Sequence, residues 1–589
     1  MKPIGIGISA ILLPLMMMLF SSVKVQPQQP TAPDVSEATK SGIISGKVVN
    51  ESGQPLSEVS VSIRTYASPG SNREAVTDRD GAFRFSGLAP VVYLASANLA
   101  AHVIAPRDPD STQTTSYRVG DTITLVMIKG GVITGAVTSS TGDPLVGVRV
   151  RAQMIRDGNG QQSRYGATIR ERTTDDRGIY RIYGLPTGTY LVFAGGGTNY
   201  PGSSTAYEND SPTYSPSSTR DTAAEINVRT GEETAGVDIR YRGELGHTVS
   251  GIARGPQGPE YQGFSITLTS TVDAGSQWNE TTFQPPGSRG FVLSGIADGD
   301  YDVTAQSYFP NGDRMVSEPK RIKVRGVDVT GVELITKPLG SISGMVVLEN
   351  SKAVECKGKR RAVVTETLVS AWHNEKEART DQPQFVWSLG GPSYPNEQGE
   401  IELRNLAPGQ YQIITRLFAK YWYLKSITLP STTTTGTKSP QVNRLYDAVA
   451  NWATLKPGER LTGLVVTLAD GAASLRGQLT IEDGQALPPR LYVYLVPAEA
   501  EKAKDVLRYL AAPVSQEKEI TLNNVPPGRY WVIAQSAING ALSQLAKLRS
   551  PDEAETRSKL RRDAEAAKIE IEFKPCQNVT GYQLPWSRQ

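Results

Sequence analysis

Short runs in which apolar and polar residues strictly alternate dominate the chain beyond residue 40. Val59 to Ile63 reads VSVSI and Val146 to Val150 reads VGVRV. Period-two alternation marks a strand with one face in a core and the other in water. Turn residues (Asp, Asn, Gly and Pro) punctuate these runs, so the pattern predicts many short strands. Two stretches depart from it. Ala498 to Ala512 (AEAEKAKDVLRYLAA) and Pro551 to about Ala567 carry helix formers. The second has Ser550 placed to cap it and acidic residues in its first turn, so both predict helices.

The strands recur as a unit. Five times a glycine sits in a short β-rich run: IISGKVV at Gly46, VITGAVT at Gly135, TVSGIAR at Gly251, SISGMVV at Gly344 and SLRGQLT at Gly477. Each unit then carries a turn, a strand and a Gly-x-Tyr corner. The first copy reads TDRDGAFRFSGLAPVVY (Thr77 to Tyr93) and the second TDDRGIYRIYGLPTGTY (Thr174 to Tyr190). Weaker copies end at Tyr301, Tyr411 and Tyr530. A turn and a closing strand lead almost at once into the next opening glycine. Long linkers are therefore absent, and the units predict a semi-rigid rod or curved string.

The pattern Gly-x-Val, Gly-x-Pro-Leu, Thr-Asp-x-x-Gly-x-Phe/Tyr, Gly-Leu-x-x-Gly-x-Tyr resembles the carboxypeptidase regulatory-like domain. The resemblance implies a transthyretin-like, prealbumin-type sandwich, similar to the carbohydrate-binding starch-binding-like fold. The fold class expected is all-β, a tandem array of about five antiparallel β-sandwiches with short helical inserts near the C-terminus. The units are expected at 41–128, 129–244, 245–338 (degenerate), 339–470 and 471–589. The resemblance also raises the internal Lys–Asn crosslinks of related adhesin sandwiches, for which Lys47 is a donor; the other opening strands lack a matching Lys.

Composition narrows the setting. With 589 residues the chain exceeds a single core. A formal charge of +3, from 62 basic and 59 acidic residues, leaves no footprint for nucleic acid. Lys357, Lys359, Arg360 and Arg361 form only a short basic knot, read as a solvated loop. Met1-Lys2 followed by an apolar run from Ile4 to Phe20 predicts, over residues 1–24, a signal peptide or an N-terminal anchor. Residues 25–40 read as a flexible tether. The expected location is secreted, periplasmic or cell surface, with membrane contact only through that first segment if it stays uncleaved. Export permits a disulfide between the two cysteines, Cys356 and Cys576. Pairing and two free thiols are both open at this level.

Catalytic chemistry finds no home in the sequence. Zinc peptidases need a His-x-x-Glu pair, and none of His102, His247 and His373 begins one. His373 with Glu375 reads as a surface pair. There is no nucleophile elbow, no Walker loop and no dinucleotide fingerprint in strand-to-helix context. Asp78-Arg79-Asp80-Gly81 and Asp175-Asp176-Arg177-Gly178 concentrate oxygens, but hairpin chemistry explains them better than calcium. No catalytic residue, metal site or cofactor is expected.

Aromatic rings are the remaining signal. Flat rings with a polar rim stack on sugars, and Tyr421, Trp422, Tyr423, Tyr200, Tyr207 and Tyr214 are the candidates. Adjacent residues of a strand face opposite ways, so one side of the Tyr421–Tyr423 cluster belongs to a core. The expected function is a non-catalytic binding or scaffold protein of the cell envelope, with carbohydrate binding as its specific form. Its partner would be a polysaccharide or an envelope protein. The alternatives are a structural stalk or adhesion module, and a hydrolase with an unrecognised site.

Overall fold

The computed structural model describes residues 42–586 except 66–71, 106–115, 159, 161–168, 197–205, 208, 256–262, 272–278, 285–287, 360, 375–389, 431–444, 482–487, 489, 516 and 538–543. The predicted N-terminal segment and tether, Tyr200 and Glu375 lie outside the described residues. The described strands form five consecutive modules, which establishes the all-β tandem sandwich. In the first, a sheet of Gly42–Val49, Ala82–Leu88, His102–Ile104 and Thr122–Lys129 faces one of Ser60–Thr65, Arg73–Val76, Val92–Asn98 and Ser116–Arg118. The inward halves of their alternating residues, such as Ile44, Val48, Val61, Ile63 and Ile123, form one core. Four modules divide their strands between separate sheets, whereas in the third one continuous eight-stranded sheet folds over its core.

The sheets are antiparallel except at one recurrent place. In every module the opening strand pairs in parallel with the closing strand: Gly42–Val49 with Thr122–Lys129, His247–Arg254 with Val329–Pro338, Gly340–Glu349 with Arg460–Asp470, and Ala473–Ile481 with Asn578–Trp586. The second module does this with two short pieces, Glu233–Thr234 and Ile239–Arg240, against Gly131–Thr138. Parallel pairing sends the chain into a module at one end and out at the other, so the next opening strand can follow at once.

That pairing explains the repeated glycine. A Cβ on Gly46 would lie 2.1 Å from the Ile123 carbonyl oxygen, and on Gly135, Gly251, Gly344 and Gly477 it would lie 1.8–2.2 Å from the oxygens of Val237, Val332, Leu464 and Tyr582. Close approach of the closing strand, not an unusual φ, demands glycine here. The repeated tyrosine is equally uniform. The hydroxyls of Tyr93, Tyr190, Tyr301, Tyr411 and Tyr530 donate to the carbonyl four residues back, at 2.7–3.1 Å. Each ring is buried while its polar tip ties down the corner.

Three expectations are corrected. Ala498 to Ala512 is not a helix: it makes two 3-10 turns, Ala500–Lys502 and Val506–Arg508, then the strand Leu510–Pro513. Val506 and Leu507 are drawn into the fourth module's core, and Leu510 and Ala512 into the fifth's, so burial overrides helix propensity. The predicted C-terminal helix exists as Ala554–Ala567 behind a 3-10 turn, Pro551–Glu553, but the Ser550 side chain makes no cap. Instead the Ser550 carbonyl accepts from Arg557 at 2.7 Å. The helix lays Leu560 and Ala564 against Tyr492 and Tyr494 on the outside of the fifth module.

The third correction concerns the rod: of the two expected shapes the chain takes the curved one, and it curves far enough to turn back on itself. The segment before Thr367–His373 of the fourth module reaches the first module. There Glu366, 1% exposed at its side chain, pairs with Arg118 at 3.3 Å, and the Thr365 hydroxyl donates to the Pro90 carbonyl.

Candidate functional site

Among the described residues, the sequence-predicted rings do not gather into one platform. Trp422 is 2% exposed and belongs to the fourth module's core. It cannot stack on a ligand, because its strand, Trp422–Pro430, turns that face inward. Tyr214 is also buried, against Phe193 at 4.9 Å, in an apolar cluster that joins the second module to the third. Tyr207 packs edge-on against Tyr241 at 5.6 Å. Tyr423 is half-buried, and burial raises its phenol pKa. Tyr421 lies under the Lys359 ammonium at 4.9 Å and bonds to Asn578 at 3.2 Å. That bond, aided by Lys359, lowers its pKa.

Tyr421 and Tyr214 instead lie at joints between modules. In all five modules the strand before the Tyr corner carries a β-bulge against the opening strand, at Leu88, Leu185, Ile296, Leu406 and Val525. The residue just before has φ between 58° and 76° each time. It is Gly87, Gly184 and Gly295 in the first three modules, but Asn405 and Asn524 in the last two. Asparagine tolerates this left-handed backbone and adds a side chain.

Both asparagines use that side chain to grip the preceding module. Asn405 Oδ1 accepts from the Arg314 amide at 2.9 Å, and its Nδ2 donates to the Gly312 carbonyl at 3.1 Å. Asn524 Nδ2 donates to the carbonyls of Ala419 and Trp422, both at 2.7 Å. Gly312 and Tyr421 themselves have φ of 86° and 68°, so a left-handed tip of one module meets a left-handed bulge of the next. Sequence reasoning missed this joint, although its signal was present: Asn replaces Gly in RNLAPGQY and NNVPPGRY.

The joint between the fourth and fifth modules is the most elaborate. Cys356 and Cys576 form a disulfide across it, with Cα atoms 5.3 Å apart and a sequence separation of 220. Trp452 Nε1 donates to Asp552 at 3.0 Å, and Gln412 Nε2 to the Ala546 carbonyl at 3.2 Å. The one group of potential metal ligands among the described residues is Asp470 with these two cysteines. Its sulfurs are bonded to each other and so are not thiolate ligands.

The histidines stand apart. His102 Nδ1 is 2.8 Å from the Ala100 carbonyl. His247 lies 3.3 Å from Asp298 and 3.9 Å from Asp328. Those carboxylates accept from the amides of Gly326 and Thr248, so they hold loops in place. His373 packs edge-on to Tyr411 at 5.2 Å, and burial lowers its pKa to about 4. The Asp-rich turns are likewise occupied. Asp78 Oδ1 accepts from the amides of Asp80 and Ala82, and Asp175 Oδ1 from those of Arg177 and Ile179. Lys47 is exposed on its strand, away from a dry core where a Lys–Asn condensation would be positioned.

Fold and joints together define a tandem β-sandwich protein whose distinctive residues serve contacts between its own modules. Residues 43–105, within the first module, match the family model of the carboxypeptidase regulatory-like domain. No curated protein matches the chain. Among solved structures, the Bacillus anthracis TIE protein is similar at 13% identity over 75% of this chain and 76% of that one, with a TM-score of 0.13. The minor pilin of Streptococcus agalactiae is similar at 15% identity over 34% of this chain and 96% of its own, with a TM-score of 0.18. The shaft pilin SpaA of Lactobacillus rhamnosus GG is similar at 12% identity over 34% and 98%, with a TM-score of 0.16.

Proposed function

We propose that this protein is an exported, non-catalytic scaffold of the cell envelope, whose modules are docked in a fixed arrangement to present their loops to a partner. The observation that carries this reading is the fourth–fifth joint, where a disulfide and the two Asn524 hydrogen bonds tie modules together. A chain that only needed reach would gain nothing from such locks, whereas a presenting surface needs its loops at fixed separations. Export is supported by the apolar run from Ile4 to Phe20 and by the disulfide, which persists in oxidising compartments. Among the described residues no helix is long and apolar enough to cross a membrane. The partner is an envelope protein or a polysaccharide. A polysaccharide would have to use rings other than Trp422 and Tyr214, which are buried.

Pull-down from an envelope extract, run beside a glycan array, tests the reading with the full chain and with a Cys356→Ser/Cys576→Ser variant. We expect capture of a partner by the oxidised chain and weaker capture by the variant. Equal capture by both would remove the role of the lock. No partner in either assay would leave a purely structural stalk as the function.

A further inference from the structure

The fourth–fifth joint encloses a cavity of about 100 Å³. Much of its lining is aliphatic, with Ile413, Leu424, Ile427 and Leu507 contributed by the fourth module's core and the turn inserted into it. Thr415, from the strand Gly409–Leu417, and Arg549, just beyond the short helix Gln544–Leu548, also line it.

These two polar groups are unusual. Thr415 Oγ1 and Arg549 Nε are sealed from solvent and make no hydrogen bond among the described residues. Arg549 has no ion pair there either. The carboxylate that bears on it is Asp505, which is already paired with Arg508 at 3.3 Å. Burial lowers the guanidinium pKa only to about 10, so it keeps its charge at neutral pH. The guanidinium as a whole is only part-buried, but a sealed Nε–H and a sealed hydroxyl, each without an acceptor, are costly. The neighbouring Gln412 donates from Nε2 to the Ala546 carbonyl, and its amide bonds to neither of these two donors.

We propose that this cavity binds a small aliphatic monocarboxylate. The carboxylate accepts hydrogen bonds from Arg549 Nε and the Thr415 hydroxyl, and the short tail lies among the aliphatic side chains. An apolar protein cavity of about 150 Å³ holds benzene, so this one suits an anion of about four to six heavy atoms, such as propionate. A charge-assisted hydrogen bond from a sealed donor supplies the affinity and the choice of acid over alcohol.

The test is a titration of the full chain with sodium acetate, propionate and butyrate at constant ionic strength, read by thermal shift and by line broadening of the ligand's NMR signals. Sodium chloride and 1-propanol serve as controls. We expect saturable binding of propionate, no competition by 1-propanol, a loss of roughly tenfold or more in Arg549→Gln and a few-fold loss in Thr415→Val. Absence of saturable propionate binding by the unaltered protein overturns the proposal. Equal binding by the Arg549→Gln variant does so too. Should that variant not fold, undiminished binding by Thr415→Val, which keeps shape and removes only the hydroxyl, overturns it as well.

Discussion

A single missing methyl group sets the spacing of each module. At Gly344 a Cβ would sit 1.8 Å from the Leu464 carbonyl oxygen, on backbone that cannot rotate away. Gly344→Ala must push the opening and closing strands apart. We expect the fourth module to lose about 3 kcal/mol, visible as faster hydrogen exchange across Gly340–Glu349 while the first module stays protected. His373 is the other residue with a measurable signature. Burial depresses its pKa to about 4 in the folded state, below the unfolded value near 6.5. The unfolded chain therefore takes up the proton first as pH falls. The contribution of neutral His373 is complete above about pH 6.5 and is progressively lost down to about pH 4. Denaturation of His373→Gln should show a flatter pH dependence in that window. An unchanged slope would mean that other groups set it.

At the scale of elements, the bulge before each tyrosine corner is both a turn device and a docking device. Asn524→Gly keeps the left-handed backbone and removes only the side chain that bonds to Ala419 and Trp422. We expect the fifth module to stay folded while amides around residues 419–422 exchange faster. Asn524→Ala should also cost the module about 1–2 kcal/mol of backbone strain. Matching behaviour of the two variants would show that strain is negligible there. The segment from Ala498 to Ala512 carries a related lesson. Its helix formers are overruled because Val506 and Leu507 fill a neighbouring core, a gain no local pattern reports.

For the whole molecule, the contact between the first and fourth modules decides whether the protein is a string or a closed arrangement. Glu366 and Arg118 are both desolvated there, and losing the Glu366 charge leaves Arg118 with only the longer 3.8 Å contact to Asp121. Breaking a buried pair costs up to about 3–5 kcal/mol, and the second carboxylate offsets part of that while the contact to the first module is weakened. Glu366→Gln should therefore raise the radius of gyration measured by small-angle scattering. An unchanged scattering curve would place the hold on the remaining contacts, such as Thr365 with Pro90.

Strands, turns and five repeats were legible in the sequence because they answer to local rules. Alternation chooses the buried face, Asp and Asn turns close on their own amides, and the Gly-x-Tyr corner bonds only four residues back. The expected aromatic site was not legible in the same way. Trp422 and Tyr214 look like free rings in a sequence, yet whether a ring meets solvent depends on the module packed beside it. The pairing of Cys356 with Cys576, the grip of Asn405 and Asn524, and the ion pair of Arg118 with Glu366 share that dependence. Each joins residues about 90 to 250 positions apart, and short-range periodicity contains nothing about partners so distant. The sequence by itself determined what each module is; tertiary structure alone decided how the modules hold one another, because burial and charge pairing are settled only when separate surfaces meet.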